Sequence, residues 1–308
     1  MQLYFAAVIA WTVATLLRIV RRLSPQTYKR ALDRITNQIA PDELFFHGLH
    51  AMGVLNYEST YQTGEQNFLE RCLRNRTSAV VFDVGANKGD YARLVHGVAP
   101  SAIVHAFEPH PMNFQILEKE TGPNLFAYQL ALGDKPGSLT LFDYTDEDGS
   151  EHASLYSEVF TSIHKKEARG QEVECETLDR IVARLGIDQI DLLKIDTEGH
   201  ELAVLRGAES LIRAGRIKVV QFEFNEMNVI SRTFMRDYLG ILGSYRFYRL
   251  LPEGAVDITD YRPVLHEIFA FQNIVCVHDS ADFSLLSKPA SKTSSAKSDS
   301  LSVPAGGS

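Results

Sequence analysis

The sequence predicts an α/β fold, an open and mostly parallel sheet with helices on both faces, and three observations lead there. Val80–Val84 is a β-branched and aromatic run suited to a strand buried on both faces. It turns through Gly85 and Gly89 into a helical pattern from Tyr91 onward. Further apolar runs end in acids in the same way, at Glu108, Asp196 and Glu223, so acidic side chains recur at the carboxyl ends of the strands. In open α/β sheets those ends form the ligand crevice.

Composition sets the outer limits. The 308 residues are 45% hydrophobic and 23% charged, enough to bury one large core with appendages. A net charge of −8 argues against nucleic acid as the main partner, because neutralising phosphates needs a basic surface. Cys72, Cys175 and Cys276 lack metal-ligand spacing and sit in apolar or strand-like runs. That disfavours a disulfide framework or zinc site and fits a reducing, cytoplasmic compartment.

At the N-terminus, Leu3–Leu17 is nearly all apolar and is followed by Arg18, Arg21, Arg22, Lys29, Arg30 and Arg34. A cleaved secretory signal carries its positive charge before the apolar run, so export is disfavoured. The uncharged stretch is shorter than the ~20 residues a span needs. Residues 1–22 are therefore expected to form a membrane anchor or interfacial helix, with the basic residues and the rest of the chain on the cytoplasmic face. The alternative is a helix packed on the soluble domain or on a second subunit of a homo-oligomer. Residues 23–78 read as a helical lead-in or cap with a loop at Tyr57–Gly64, too short for a core of their own. His47, His50 and Glu65 lie there, more simply read as packed or solvated groups than as pocket residues.

The glycine loop after the first strand lets a ligand approach the backbone where a Cβ would repel it. Its Gly-x-x-x-Gly spacing differs from the Gly-x-Gly-x-x-Gly of dinucleotide binders and lacks the Gly-Lys-Ser/Thr ending of a P-loop. Ile103–Phe107 reads as the second strand and runs into Glu108, then Pro109 and Pro111. An acid about 20 residues past a glycine loop is the usual holder of ribose hydroxyls. The competing role for Glu108 is to cap the helix that starts near Pro111.

Asn113–Glu120 continues as a helix, and Leu125–Leu130 reads as a third strand leading into Gly133 and Asp134. Ser138–Phe142 alternates as a short exposed strand. Asp143–Arg169 has no period and is long for a connection, which favours a functional flap. Glu172–Glu176 resumes strand alternation, and Leu178–Leu185 forms an amphipathic helix ending at Gly186. Ile190–Ile195 is then a buried strand that delivers Asp196, Glu198 and His200 to its end, ahead of a helix carrying Leu202, Leu205, Leu211 and Ile212. Acid, acid and imidazole so close together suit a general base, its orienting partner or a cation site. Helix capping by Thr197 with an acidic first turn explains the carboxylates but neither Lys194 nor His200. Ile217–Phe224 is a further strand.

Asp83-Val84-Gly85-Ala86-Asn87-x-Gly89, Phe107-Glu108-Pro109, Thr177-Leu178-Asp179 and Leu193-Lys194-Ile195-Asp196-Thr197-Glu198-Gly199-His200-Glu201 through Leu205-Arg206-Gly207-Ala208 together resemble the FkbM family of S-adenosylmethionine-dependent methyltransferases. The resemblance runs over residues 79–271. It implies a Rossmann-like class I methyltransferase sheet of seven strands, mostly parallel, closed by a C-terminal antiparallel hairpin for which Tyr245–Leu251 and Ile268–Val277 are the candidates. The domain would occupy 79–279, leaving 280–308, rich in Ser, Ala, Pro, Gly and Lys, as a disordered tail.

The same resemblance implies S-adenosyl-L-methionine as cofactor and O-methylation of a hydroxyl on a glycan, lipid-linked saccharide or similar small acceptor. Gly85 and Gly89 would hold the cofactor's methionine part with Asn87 beside them, Asp83 would fix the loop, and Glu108 would take the ribose. Asp134 would approach the adenine, with simple turn chemistry as its alternative. On the acceptor side His200 would be the base, with Asp196 positioning acceptor or cofactor and Glu198 orienting the imidazole or the hydroxyl. No metal is expected, against a competing account in which Asp196, Glu198 and His200 bind a divalent cation. Lys88 departs from the family, standing where a small apolar residue is common. Two other functions remain open, a nucleotide-sugar or dinucleotide enzyme on a similar sheet and a cofactor-binding module without turnover.

Overall fold

The computed structural model describes residues 19–22, 24–74, 76–145, 149–150 and 153–281. The chain divides into two units, residues 1–52 and 53–308. In the first, α1 spans Pro25–Thr36 and α2 spans Pro41–Ala51. Helix α2 starts on Pro41 with Asp42 and Glu43 in its first turn, which suits the positive end of the helix dipole. It buries Leu49 and leaves Leu44, Phe45 and Phe46 exposed. Apart from residues 19–22, the predicted membrane segment lies outside the described residues, as does the predicted tail from residue 282 onward. Among the described residues no helix is long and apolar enough to cross a membrane.

The second unit opens with α3 (Glu65–Leu73) and then runs β1 (Val80–Val84), α4 (Asp90–Val98), β2 (Ile103–Phe107), α5 (Pro111–Leu117) and β3 (Leu125–Tyr128). A separate sheet follows, built from β4 (Ala131–Leu132), β5 (Gly137–Tyr144) and β6 (Ala168–Glu176). The chain returns through α6 (Leu178–Leu185), β7 (Ile190–Ile195), α7 (Glu201–Arg206), α8 (Glu209–Arg213) and β8 (Ile217–Phe224). It ends with α9 (Met227–Ser231), α10 (Met235–Ile241), β9 (Tyr245–Leu251), β10 (Gly254–Asp257), α11 (Pro263–His266) and β11 (Gln272–His278).

The main sheet has eight strands in the order β10-β9-β11-β8-β7-β1-β2-β3. Strands β3, β2, β1, β7 and β8 are parallel to one another, while β11 runs antiparallel to both β8 and β9. This is the mixed α/β architecture with a C-terminal antiparallel pair that the sequence predicts. Because successive side chains in a strand point to opposite faces, the continuous apolar runs must be covered on both sides. Phe82, Phe107, Leu193 and Phe222 belong to one buried core. Their neighbours Val81, Leu192 and Val219, with Val104, belong to the other. Truncating a side chain such as Leu193 to alanine in either core costs about 2–5 kcal/mol.

Four expectations need correction. Leu125–Leu130 is not one strand, since the chain leaves the main sheet after Tyr128 and Ala131–Leu132 pairs with Cys175 and Glu176 in the second sheet. The short exposed strand at Ser138–Phe142 is longer, Gly137–Tyr144, and pairs with β6 along its whole length. The helix after His200 breaks at Gly207, where a Cβ would lie 2.0 Å from the carbonyl oxygen of Gly133. The sheet has eight strands instead of seven because β10 folds back on β9 as an added edge.

Part of the stretch expected as a flap belongs to the folded body, since Asp143 and Tyr144 end β5 and Ala168 and Arg169 open β6. Ser154 exchanges backbone hydrogen bonds with Phe142, and Val159 and Phe160 are fully buried. The three cysteines are buried free thiols.

Candidate active site

The loop between β1 and α4 is fixed by close backbone approach. Gly85 has φ +81°, and a Cβ there would sit 1.7 Å from the carbonyl oxygen of Asp196, so only glycine lets the ends of β1 and β7 meet. Gly89 has φ +87° and precedes α4, and Asn87 adopts φ +48°, a left-handed conformation that asparagine tolerates better than most residues. The N–H groups of Gly85 and Ala86 both donate to the carbonyl of Phe107, at 2.9 and 3.0 Å.

Glu108 joins this loop to the second strand. One carboxylate oxygen accepts the N–H of Asn87 at 2.8 Å, and the other accepts the N–H of His110, the residue before α5, at 2.7 Å. Glu108 is not itself the cap of α5, a role taken by His110, whose imidazole accepts the N–H of Met112, and its side chain lines a cavity at the strand ends. Burial pushes its pKa up to about 7 against the pull of those two N–H donors.

Asp83 is 1% exposed, and its Oδ2 has no hydrogen-bond partner. Burial raises its pKa to about 7, opposed by Lys194 and reinforced by Asp196 and Glu65. Lys194 is buried at the end of β7, where its Nζ donates to Asp196 at 2.8 Å and lies 5.4 Å from the ring centre of Tyr91. Burial alone would lower the lysine pKa. The carboxylates of Asp196, Glu65 and Glu223 outweigh it and keep the ammonium charged.

The next loop is held by a residue to which the sequence reading gave no role. Glu201 is 2% exposed, and its Oε1 accepts the N–H groups of Thr197 and Gly199, both at 3.0 Å, and the hydroxyl of Thr197 at 3.1 Å. That pins a turn in which Glu198 (φ +52°) and Gly199 (φ +103°) are both left-handed. The sequence signal was the acid four positions after Thr197, in the first turn of the helix.

Asp196, Glu198 and His200 all line the cavity, as their spacing predicts. The imidazole stands apart from the carboxylates, however. Both ring nitrogens are buried without a hydrogen-bond partner, so among the described residues no carboxylate orients the ring. A Cβ on Gly133 would come within 3.0 Å of its Nε2. Burial lowers the pKa of His200 to about 4, with Asp134 pulling the other way, so the ring is neutral near pH 7. Asp134 itself is outside the cavity lining, 45% exposed and 3.9 Å from Lys135.

The cavity measures about 1150 Å³ and crosses the carboxyl ends of β1, β2, β7 and β8. Pockets for one small molecule are usually about 300–1,000 Å³, so this one has room for two reactants. One end holds Glu108, Asn113, Leu130 and Leu132, and the other holds Tyr57, Glu65, Glu223 and Phe271. The strands at those ends, β2 and β11, are four strand spacings apart, about 19 Å.

The lining is strongly acidic. It contains eight Asp and Glu residues against Lys194 and Arg93, and both cations already have carboxylate partners, Asp196 and Asp90. Asp83 Oδ2, Asn87 Oδ1 and Asn113 Oδ1 are buried acceptors without donors. Orphaned acceptors are rare in native proteins, and a cluster of them calls for a ligand rich in donors. Together with the surplus of carboxylates, they suit a molecule carrying positive charge. Among the described residues no group of three His, Cys, Asp or Glu side chains is arranged to hold a metal.

The family model of the methyltransferase FkbM domain matches residues 83–249. One similar protein is the 31-O-demethyl-FK506 methyltransferase FkbM of Streptomyces tacrolimicus, 32% identical over 46% of this chain and 66% of that one. Another is the 2-O-methyltransferase NoeI of Sinorhizobium fredii, 24% identical over 59% of this chain and 78% of that one. The chain thus spans just under two thirds of the first relative and more of the second. Among solved structures, the plantazolicin methyltransferase BpumL in complex with SAH aligns over 78% of this chain and 91% of that chain, at 10% identity and a TM-score of 0.37.

Proposed function

The chain belongs to the FkbM methyltransferase family, and from that premise we propose that it transfers a methyl group from S-adenosylmethionine to a hydroxyl of a small acceptor such as a glycan or lipid-linked saccharide. The observation that carries this reading is the set of unpaired buried acceptors, Asp83 Oδ2, Asn87 Oδ1 and Asn113 Oδ1, beside the Glu108 carboxylate. The donor brings an ammonium, a sulfonium, ribose hydroxyls and an adenine amine against a single carboxylate, so it is rich in donors and its net charge is positive. A dinucleotide would bring an anionic pyrophosphate to the same acidic lining. Oxygen as the methylated atom follows the names of two relatives.

When bound, S-adenosylmethionine supplies a methyl group that already carries its leaving group. The protein's tasks are then alignment and proton removal. Glu108 has lone pairs left after accepting from Asn87 and His110, and these would receive the ribose hydroxyls. Asp83, Asn87 and Asn113 would receive the remaining donors. Lys194 fixes the Asp196 carboxylate, which would orient donor or acceptor.

An alkyl hydroxyl becomes strongly acidic only as its oxygen bonds to carbon, so even a weak base suffices once transfer is under way. We assign His200 to accept that proton, with Asp196 and Glu198 positioning the hydroxyl. Its neutral state and its ring nitrogens, buried without a hydrogen-bond partner, support the assignment. The experiment is incubation with methyl-labelled S-adenosylmethionine and a panel of polyol acceptors. Label in an ether linkage supports the reading, and label on nitrogen or carbon alone refutes the O-methyl part.

A further inference from the structure

The end of the cavity away from Glu108 has a chemistry of its own. Tyr57 and Phe271 meet edge to face there, with ring centres 6.0 Å apart and planes at 84°. The pair is anchored through the backbone, since the N–H of Leu55 donates to the carbonyl of Phe271 at 2.8 Å. Tyr57 is nonetheless 63% exposed, leaving aromatic surface uncovered on the cavity lining. Around it stand the carboxylates of Glu65, Glu223 and Glu226.

Glu65 is steadied by the side-chain amide of Gln221 at 2.7 Å, and Gln221 in turn accepts the hydroxyl of Tyr91 at 2.7 Å. The register of β7 and β8 sets Glu223 next to Asp196 at neighbouring strand ends. The two cations of the lining are both engaged elsewhere, Lys194 by Asp196 and Arg93 by Asp90.

We propose that this end is an acceptor subsite for an uncharged or amino-bearing polyol ring, and that it discriminates against acceptors carrying a carboxylate or phosphate near the reacting hydroxyl. The proposal rests on the methyl-transfer reading and adds the acceptor's class and charge to it. An aromatic surface packs against the C–H face of a saturated ring while carboxylates accept from its hydroxyls, and an amine gains further from the aromatic faces. An anionic ring keeps those contacts but adds a charge of the wrong sign. It would meet the carboxylates of Glu65 and Glu226 with no unpaired cation among the described lining residues to offset them, and like-charge juxtaposition disfavours the wrong partner.

Burial, and after it the neighbouring Asp196, push the Glu223 carboxyl well above its usual range despite Lys194 nearby.

The test is saturation-transfer NMR on the full chain saturated with S-adenosylhomocysteine, using glucose, glucosamine and glucuronate as probes. Glucose and glucosamine should bind, glucosamine at least as well as glucose, and glucuronate about tenfold more weakly or not at all. Tyr57→Ala should weaken the two binders about fivefold, the scale of one aromatic contact, while S-adenosylhomocysteine affinity stays unchanged. Because Glu226 is exposed, Glu226→Lys should fold normally and narrow the gap between glucose and glucuronate. Glucuronate binding as well as glucose, no probe binding at all, or indifference to both substitutions each overturns the proposal. Loss of S-adenosylhomocysteine binding in the wild-type chain would instead overturn the methyl-transfer reading beneath it, so the two failures are told apart by the cofactor titration.

Discussion

The carboxylate of Glu108 accepts the backbone N–H of Asn87 at 2.8 Å, so the acid that ends β2 holds in place the loop that follows β1. One residue thereby links two neighbouring strand ends and faces the cavity between them.

The first prediction follows from that link. Glu108→Ala removes a ribose acceptor and releases the Asn87 loop, so S-adenosylhomocysteine should bind about 1–3 kcal/mol more weakly, the scale of lost hydrogen bonds to a charged group. Calorimetric titration measures it. Unchanged affinity in a folded variant would remove Glu108 from the donor site.

A second prediction concerns Gly85. Its φ is positive, and a Cβ added there would lie 1.7 Å from the Asp196 carbonyl oxygen, so a methyl has no room unless β1 moves from β7. Gly85→Ala should destabilise the fold by about 1–3 kcal/mol, as overpacking does elsewhere. Urea unfolding reads this, and a variant with the wild-type midpoint would show that the strand ends can separate freely.

Much of this geometry was legible in the sequence, and the reasons are local. A strand covered on both faces needs an unbroken apolar run, so β1, β2, β7 and β8 announced themselves, and the acids ending those runs had to share an edge. The second sheet did not show, although alternation marked strands at Ser138–Phe142 and Glu172–Glu176, because the pairing of β5 with β6 joins segments far apart in the chain. His200 was legible as a cavity residue, but its lack of an orienting carboxylate depends on how the 197–199 turn is pinned by Glu201. Tyr57 and Phe271 carry no motif at all. They meet only because β11 runs back beside β8.

The third prediction is a pH dependence of stability. Burial raises the folded-state pKa of Asp83, Glu108 and Glu201 to about 7 from ordinary values of 3.8, 4.5 and 4.5. A raised carboxyl pKa means that the folded state binds the proton more tightly. The stability it contributes is therefore complete below the ordinary value and is lost as pH rises through about 7. His105 and His200, lowered to about 4 by burial, act oppositely but only below their ordinary 6.5. From pH 6.5 to about 8.5 the carboxyls should dominate, and the urea midpoint of the wild-type chain should fall. The fall should be smaller in Glu108→Gln. A midpoint that rises over that window would contradict the assignment.

The fourth prediction concerns proton removal. With a pKa near 4, His200 is neutral throughout the working range, so the rate of the wild-type enzyme should show no inflection near 6.5 from this ring. His200→Ala should lower kcat by about 10² to 10⁴ with S-adenosylhomocysteine affinity unchanged. Transfer at a near-normal rate would eliminate His200 as the base and leave the proton to Asp196, Glu198 or water.

The central claim is that the acidic crevice over β1, β2 and β7 binds a positively charged methyl donor. It is tested most directly by calorimetric titration of the full chain with S-adenosylmethionine and, separately, with NAD. Saturable one-to-one binding of S-adenosylmethionine, with no heat from NAD, is the predicted result, and binding of NAD with none of S-adenosylmethionine would contradict it.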